Sequence, residues 1–490
     1  MGKQKSTLKR KLNAFHLWGI AVGLVISGDY FGWSYGWASG GTLGFLIATL
    51  FVAVMYVTFI FSFTEMSCAI PQAGGPFAYA RRAFGPIGGF FAGTFTLIEY
   101  VCAPPSIALA IGAYFSDLVP GLSPVAIAIV AYGLFAALNL CGVSAAATFE
   151  LAVTIIAICE LLVFMGVVAP GFELTNFLSH GWAGSNTFSM GTIGGICASI
   201  PFAIWFFLAI EGASMSAEEA KNPQVTVKKG FITGIITLVI LAAGVMMFAG
   251  GSGDWKQLSN LNDPLPKAMM MVVGQKSSWV HMLVFLGLFG LLASFHGIIM
   301  EAGRQIFALS RAGYLPKSLS WVNRRAVPHW AIISTAVFGI VCVLCNSFDP
   351  FFNGQSLTAN IITLACFGSI TMYIISMMSL FRLRKTEPNL ERPYKAICYP
   401  TFPIIALIGA VICFVLMIYY NFNVFVAFII LMTLCYGYYV YNRKAIKEDF
   451  VVIDDNAPEV EDEIESDVES EGELIGETVY VQDSNRKHNI

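Results

Sequence analysis

Apolar stretches of about twenty residues recur from one end of the chain to residue 441. That is the length an α-helix needs to cross a hydrocarbon core of about 30 Å at 1.5 Å rise per residue. A water-facing surface cannot be built around them. Of the 490 residues 57% are apolar and 12% charged, where an ordinary soluble domain is about 25% charged. No run alternates polar and apolar residues as a barrel strand would, which leaves helices as the spanning element. The formal net charge of −3 supplies no field for nucleic acid. An all-α membrane protein, with the lipid bilayer as its surroundings, is the expected class.

The runs and the breakers between them predict twelve spans: 14–38, 42–66, 86–116, 123–142, 146–169, 191–216, 229–250, 279–306, 330–346, 357–381, 400–420 and 422–441. Span 3 carries Pro104 and Pro105, which predicts a kink. With the N-terminus placed inside, 25 of the 28 Lys and Arg residues fall on the inner side. The other three, Lys256, Lys267 and Lys276, share one outer loop. Such a bias predicts a multi-pass protein of the cell membrane, plasma or inner, with both termini cytoplasmic. The basic start runs into span 1 with no small-residue cleavage site, so it reads as span 1 and not as a removed signal. Residues 1–13 form a cytoplasmic N-terminal segment and 14–441 the membrane domain. The stretch DDNAPEVEDEIESDVESEGELIGE lies in 442–490 and is too acidic to bury a core. A disordered solvated tail is expected there, with a regulatory contact as the alternative.

Glycine and charge at mid-membrane depth are tolerated mainly where broken backbone lines a cavity. Two spans show that signature: span 1 in GLVISGDYFGWSYGW, at Ser27-Gly28-Asp29, and span 6 in PFAIWFFLAIEGASM, at Glu211-Gly212. Interruptions in the first and sixth spans point to an inverted-repeat transporter of two five-helix halves, about 14–169 and 191–381, followed by spans 11 and 12 over about 400–441. Close helix packing by small residues is the plainer explanation of a lone glycine. A glycine beside an ionisable residue in both spans favours a binding site. The predicted substrate site comprises Ser27, Gly28, Asp29, Tyr30, Glu99, Phe207, Ala209, Glu211 and Gly212.

Other functions fit less well. Eleven cysteines are scattered as small apolar fillers, and the Cys342–Cys345 spacing lies in an apolar run without polar partners. Neither a metal nor a cofactor is expected. A membrane enzyme or electron carrier would need paired histidines or a catalytic domain, whereas the six histidines are not paired on any one helix. A channel or receptor is the remaining class, but no filter run such as TVGYG is present. No GxxxxGK[ST] occurs, so no ATP hydrolysis is expected.

Four loop motifs carry a family resemblance: EMSCAIPQAGGPFAYARRAFGP after span 2, AEEAKNPQVTVKKG after span 6, RQIFALSRAGYLP after span 8 and RPYKAICYPTFP before span 11. In order and position they resemble the amino acid-polyamine-organocation permeases. Within them LWGIAVGLVISGDYFGWSYGW, EYVCAPPSIALAIGAY and IPFAIWFFLAIEGASMSAEEAKNP are most similar to ethanolamine permeases. The resemblance implies twelve helices in the five-plus-five fold, alternating access, and uptake driven by an H+ or Na+ gradient. It makes a small-molecule amine, ethanolamine first, the expected substrate. A general amino acid permease or exchanger is the alternative. The chain departs from the amino acid carriers at span 1, whose break there usually reads G-S-G followed by neutral residues. Here Asp29 enters it. Span 5 likewise has Glu150 and Glu160 but no lysine.

An unpaired charge inside a span costs about 2.5 kcal/mol or more, so each buried carboxylate needs a partner or a proton. Glu150, Glu160 and His296 are the coupling or proton-relay candidates, with a protonated or structural packing role as the alternative. Asp29 is read either as an ammonium partner or as a cap on the second half of helix 1. Glu65, Gly74, Gly75, Arg81, Glu218, Glu219, Arg304 and Arg311 fall at the inner ends and are expected to lock loops and gate. Tyr30 and Phe207 are candidate pocket walls.

Overall fold

Asn13 starts the first helix by a reciprocal cap. Its side chain accepts from the His16 N–H at 3.0 Å while His16 Nδ1 accepts from the Asn13 N–H. From there the computed structural model describes residues 10–446, apart from 120, 276, 326, 349–350 and 353–354. Residues 1–9 of the expected N-terminal segment, and 447–490 of the expected acidic tail, lie outside the described residues.

Span 1 begins as α1 (Ala14–Gly23) and continues through α2 (Ser27–Tyr30) into α3 (Trp33–Ala69). Within α3, Gly41 at φ 68 separates spans 1 and 2. In α4 (Pro76–Leu118) the non-helical residue is Gly85, at φ 72, which sets a short entry helix apart from span 3. Pro104 and Pro105 lie inside α4 with helical dihedrals, and Gly85 falls just before the predicted span. α5 (Pro124–Asn139), α6 (Val143–Val168) and α7 (Leu174–Leu178) follow. Span 6 is divided into α8 (Met190–Ala198) and α9 (Ile200–Trp205). Then come α10 (Pro223–Gly251), α11 (Pro264–Val273) and α12 (Ser278–Arg311). α13 (His329–Phe348), α14 (Leu357–Thr386), α15 (Thr401–Tyr420) and α16 (Phe422–Asn442) complete the set. Strands Phe351–Phe352 and Gln355–Ser356 pair antiparallel.

Among the described residues eight helices are long and apolar enough to cross a membrane, and a ninth if α8 and the segment after it, bent by 42°, count as one span. Ala14–Tyr30, Pro124–Asn139, Pro264–Val273 and His329–Cys345 are shorter apolar helices. The third of these, α11, lies in the loop between spans 7 and 8 and is absent from the sequence-predicted set. α15 and α16 expose Ile408, Val415, Ile430 and Leu434, a surface suited to lipid.

The helices pack in matching pairs. α1 lies along α10, and α8 with α9 lies along α3. α4 runs beside α14, and α12 beside α6; α4 meets α5, and α12 meets α13. Small residues permit the close approaches: a Cβ on Gly368 would sit 2.7 Å from the Phe95 carbonyl oxygen of the facing helix.

Candidate substrate and coupling site

Helix 1 tightens before it breaks. Val25, Gly28 and Asp29 donate to carbonyls three residues back, at Val22, Val25 and Ile26. Ser27 loses a helical acceptor in this stretch, and its N–H donates at 2.9 Å to Ser294 Oγ on α12, which in turn donates to the Gly23 carbonyl at 2.7 Å. The departure from helix comes later than the sequence suggests. Ser27–Tyr30 is a helical turn, Phe31 is extended, and Gly32 takes φ 88, which glycine alone adopts without cost. Gly28 lies against the partner break: a Cβ there would be 2.6 Å from the Trp205 carbonyl oxygen and 2.9 Å from the Phe206 Cα. Asp29 is buried with neither carboxylate oxygen hydrogen-bonded, so it caps nothing. Trp205 Nε1 is also buried without an acceptor.

Helix 6 breaks earlier than Glu211-Gly212. α9 ends at Trp205, and Ala209 adopts the left-handed conformation (φ 76, ψ 5), a conformation an alanine rarely takes. Glu211 and Gly212 lie in the following 3₁₀ stretch, Ile210–Ser214. Tyrosines hold that segment. Tyr100 Oη donates to the Ala209 carbonyl at 2.8 Å and lies 3.1 Å from Glu211 Oε1, while Tyr373 Oη donates to Glu211 Oε2 at 2.9 Å. Tyr56 is 3.0 Å from Tyr373, hydroxyl to hydroxyl, and its ring meets Phe207 at 5.3 Å. Glu99 is wholly buried beside Glu211, and neither of its oxygens takes a hydrogen bond of ordinary geometry.

The remaining carboxylates form two separate clusters. Tyr30 donates its hydroxyl to Glu160, and Tyr114 Oη donates to the Tyr30 carbonyl at 3.0 Å. Glu150 Oε2 is 2.7 Å from His296 Nδ1 in full burial. Glu150 and Glu160 lie ten positions apart on α6, about 15 Å along the helix, so no direct relay joins them. Among the described residues no basic side chain is paired with Asp29, Glu99, Glu160 or Glu211.

The predicted gating residues do assemble, at one arginine-rich end. Glu65 receives Arg384, Arg392 Nε at 3.1 Å and the Ala396 N–H at 2.7 Å. Glu218 pairs with Arg311 at 2.9 Å and accepts from the Ala73 N–H, and Glu219 pairs with Arg304 at 2.5 Å. Burial raises the Glu219 carboxyl and Arg304 opposes that rise. The Arg81 guanidinium lies 5.4 Å from the Tyr314 ring centroid. Gly74 packs on Ala308 and Gly75 on Ser214, both with positive φ. Lys11 and Leu12 donate their N–H groups to the Glu219 carbonyl, tying the N-terminal segment to this end. Sequence reasoning missed Tyr56, Tyr100, Tyr114, Tyr373, Ser294, Glu301, Arg384 and Arg392. Glu301, a carboxylate inside predicted span 8, and the arginines, among the inner-side basic residues, carried a signal.

Sequence comparison agrees with this architecture. Residues 16–451 match the family model described as amino acid permease. An uncharacterised transporter of Rhizobium meliloti (strain 1021) is 28% identical over 83% of this chain and 85% of its own length. The branched-chain amino acid permease BcaP of Bacillus subtilis (strain 168) is 23% identical over 90% of this chain and 95% of its own. The aromatic amino acid transport protein AroP of Salmonella typhimurium (strain SL1344) is 24% identical over 84% and 90%. With the family model covering nearly the whole helical bundle, the chain belongs to the amino acid permease family and is a multi-pass membrane transporter.

Proposed function

We propose that the protein is a secondary active transporter that carries a small solute bearing an ammonium group, by alternating access driven by an ion gradient. The carrying observation is that the two broken helices touch, Gly28 on the Trp205–Phe206 backbone and Gly32 on the Trp205 ring, with Asp29 and Glu211 near the two breaks. Asp29 and Glu211 are the ammonium partners in this reading. An ammonium about 4 Å from one carboxylate gains roughly 4 kcal/mol at an effective dielectric of 20. The matched helix pairs support a five-plus-five inverted repeat, because raising each span number by five, or lowering it by five, turns one pair into the other. Twelve spans in the cell membrane with both ends cytoplasmic complete the proposal, supported by the distribution of Lys and Arg.

Amino acids are the substrate class that the relatives favour over ethanolamine, since BcaP and AroP are named for amino acids. The unpartnered Trp205 Nε1–H, a donor for a substrate carboxylate at the same break, is consistent with that class. One observation keeps ethanolamine as a second reading. The N–H groups of residues 25–29 all have acceptors already, and Asp29 would repel a carboxylate brought to them. Reconstituted vesicles offered labelled L-leucine, L-phenylalanine, L-threonine or ethanolamine under imposed proton or sodium gradients separate the two. Gradient-driven accumulation of an amino acid, unaffected by excess ethanolamine, establishes the first reading. Accumulation of ethanolamine alone establishes the second. Uptake that persists with no gradient of any ion or solute would sink both.

A further inference from the structure

We propose that the loop joining α12 to α13 is a binding site for an anionic phospholipid, whose phosphate is held by Arg324 and Arg325. The site lies outside the substrate and gating residues and does not depend on which solute the protein carries.

The charge of this loop is uncompensated. Residues 312–330 include Lys317, Arg324 and Arg325 and no acidic residue, and residues 140–149, which contain the facing connection between α5 and α6, include none either. All three basic side chains are exposed, and among the described residues none pairs with a carboxylate. They differ in this from Arg304, Arg311, Arg384 and Arg392, which are committed to Glu219, Glu218 and Glu65.

Asn323 fixes the shape of the loop. Its Oδ1 accepts from the Arg325 N–H at 2.9 Å and from the Val327 N–H at 3.1 Å, while its own N–H donates to the Val327 carbonyl at 2.9 Å. Its Nδ2 donates to the Leu140 carbonyl at 3.3 Å, and Arg325 Nη1 donates to the Cys141 carbonyl at 3.1 Å. These carbonyls follow the end of α5, where the helix itself supplies no further N–H. The same contact aims Arg325. With Nη1 on Cys141, Nε and Nη2 remain for a ligand, and two N–H groups of one guanidinium match two oxygens of a phosphate.

Two tryptophans set the depth. Trp321 and Trp330 stand on either side of the arginines in the sequence and are 54% and 46% exposed. Exposed indoles on a membrane protein sit at headgroup level, which is where phosphates lie. Apolar surface continues from there toward the bilayer core. Ala137 and Gly133 come about one and two turns before Cys141, both exposed, and a Cβ on Gly133 would meet nothing within 4 Å. α13, which packs on α5, exposes Val337, Phe338 and Val341. A lipid therefore finds acyl-chain surface next to its phosphate partners, which a free phosphate would leave unused. Uncompensated positive charge at a membrane surface selects lipids with net negative charge over zwitterionic ones.

The test uses the full-length protein in nanodiscs of phosphatidylcholine alone and of phosphatidylcholine mixed equally with phosphatidylglycerol. Phosphatidylglycerol should raise the unfolding temperature of the wild type, and native mass spectrometry should find it retained on the protein released from the mixed discs. Arg324 is exposed and bonds to no other described residue, so Arg324→Gln reads the lipid without loss of the fold. Phosphatidylglycerol affinity should fall roughly fivefold in Arg324→Gln and by a similar factor again when Arg325→Gln is added. Lys228→Gln with Lys229→Gln, an exposed basic pair on α10, should keep the wild-type affinity. Equal unfolding temperatures in the two kinds of disc, or wild-type retention in the double arginine variant, would overturn the site. An equal loss in the lysine variant would reduce it to diffuse surface charge. Inorganic phosphate added to phosphatidylcholine discs should give no gain, and a gain as large as that from phosphatidylglycerol would overturn the lipid assignment.

Discussion

Gly28 is the residue on which the contact between the two broken helices depends, because any side chain would enter the Trp205 carbonyl and the Phe206 backbone. Gly28→Ala should cost roughly 1–3 kcal/mol, as overpacking does where backbone must move. A lowered unfolding temperature in detergent, with uptake reduced, is the expected measurement. An unchanged unfolding temperature would mean that the breaks separate without cost. Asp29 sits one residue on and differs in kind, since its carboxylate is buried with no partner. Asp29→Asn keeps the shape and removes the charge. If Asp29 holds the substrate ammonium, binding should weaken by about 2–5 kcal/mol, the range for losing one member of a buried charge pair. A scintillation proximity titration of the transported solute reads this directly, and affinity retained within a few fold excludes Asp29 as the partner. The glycine was legible in sequence as a break signal. Its neighbour across the break was not, because Trp205 is 177 positions away and only folding brings its carbonyl there.

At the level of elements, the segment after the helix 6 break is pinned by tyrosines from two other spans. Tyr373→Phe and Tyr100→Phe each remove a hydrogen bond to Glu211, worth about 1.5–3 kcal/mol if that carboxylate is ionised. Both should lower thermal stability and change substrate affinity. Their double mutant should lose less than the sum, since the two hydroxyls share one acceptor group. Strict additivity would show that Glu211 does not link them. At the arginine-rich end the Arg304–Glu219 pair joins α12 to the segment after span 6. Arg304→Ala strands a buried carboxylate, and a loss of about 3–5 kcal/mol is expected, partly recovered by adding Glu219→Gln. A double variant as unstable as Arg304→Ala alone would contradict the pairing. Helix extents were legible to within a few residues because hydropathy is local, whereas these tyrosines were not. A tyrosine in an apolar run has the same local pattern whether it faces lipid or a carboxylate.

For the whole molecule, the asymmetric distribution of Lys and Arg predicts the orientation. Reporter fusions at Asp254 and after Lys444 should report outside and inside respectively. The reverse at either position would overturn the twelve-span topology. The paired helix contacts further predict that the two halves move against one another, with the arginine-rich end opening as the pairs of Glu65, Glu218 and Glu219 part. Crosslinks across that end should trap the carrier and stop uptake.

The sequence by itself determined that this chain is a helical membrane protein, that its first and sixth spans are interrupted, and which family it resembles. All three depend on local composition or on motifs a few residues long. Tertiary structure decided where each break falls, because the backbone yields where packing forces it. Gly32 and Ala209 take positive φ, while Ser27–Tyr30 and Ile210–Ser214 remain helical turns. It also sorted the buried acidic groups into separate sites: Glu99 with Glu211, Glu160 with Tyr30, and Glu150 with His296. In sequence they are alike, each a carboxylate inside an apolar run. Their difference lies in the side chain that the fold brings opposite, and a low-dielectric interior makes that partner the deciding term.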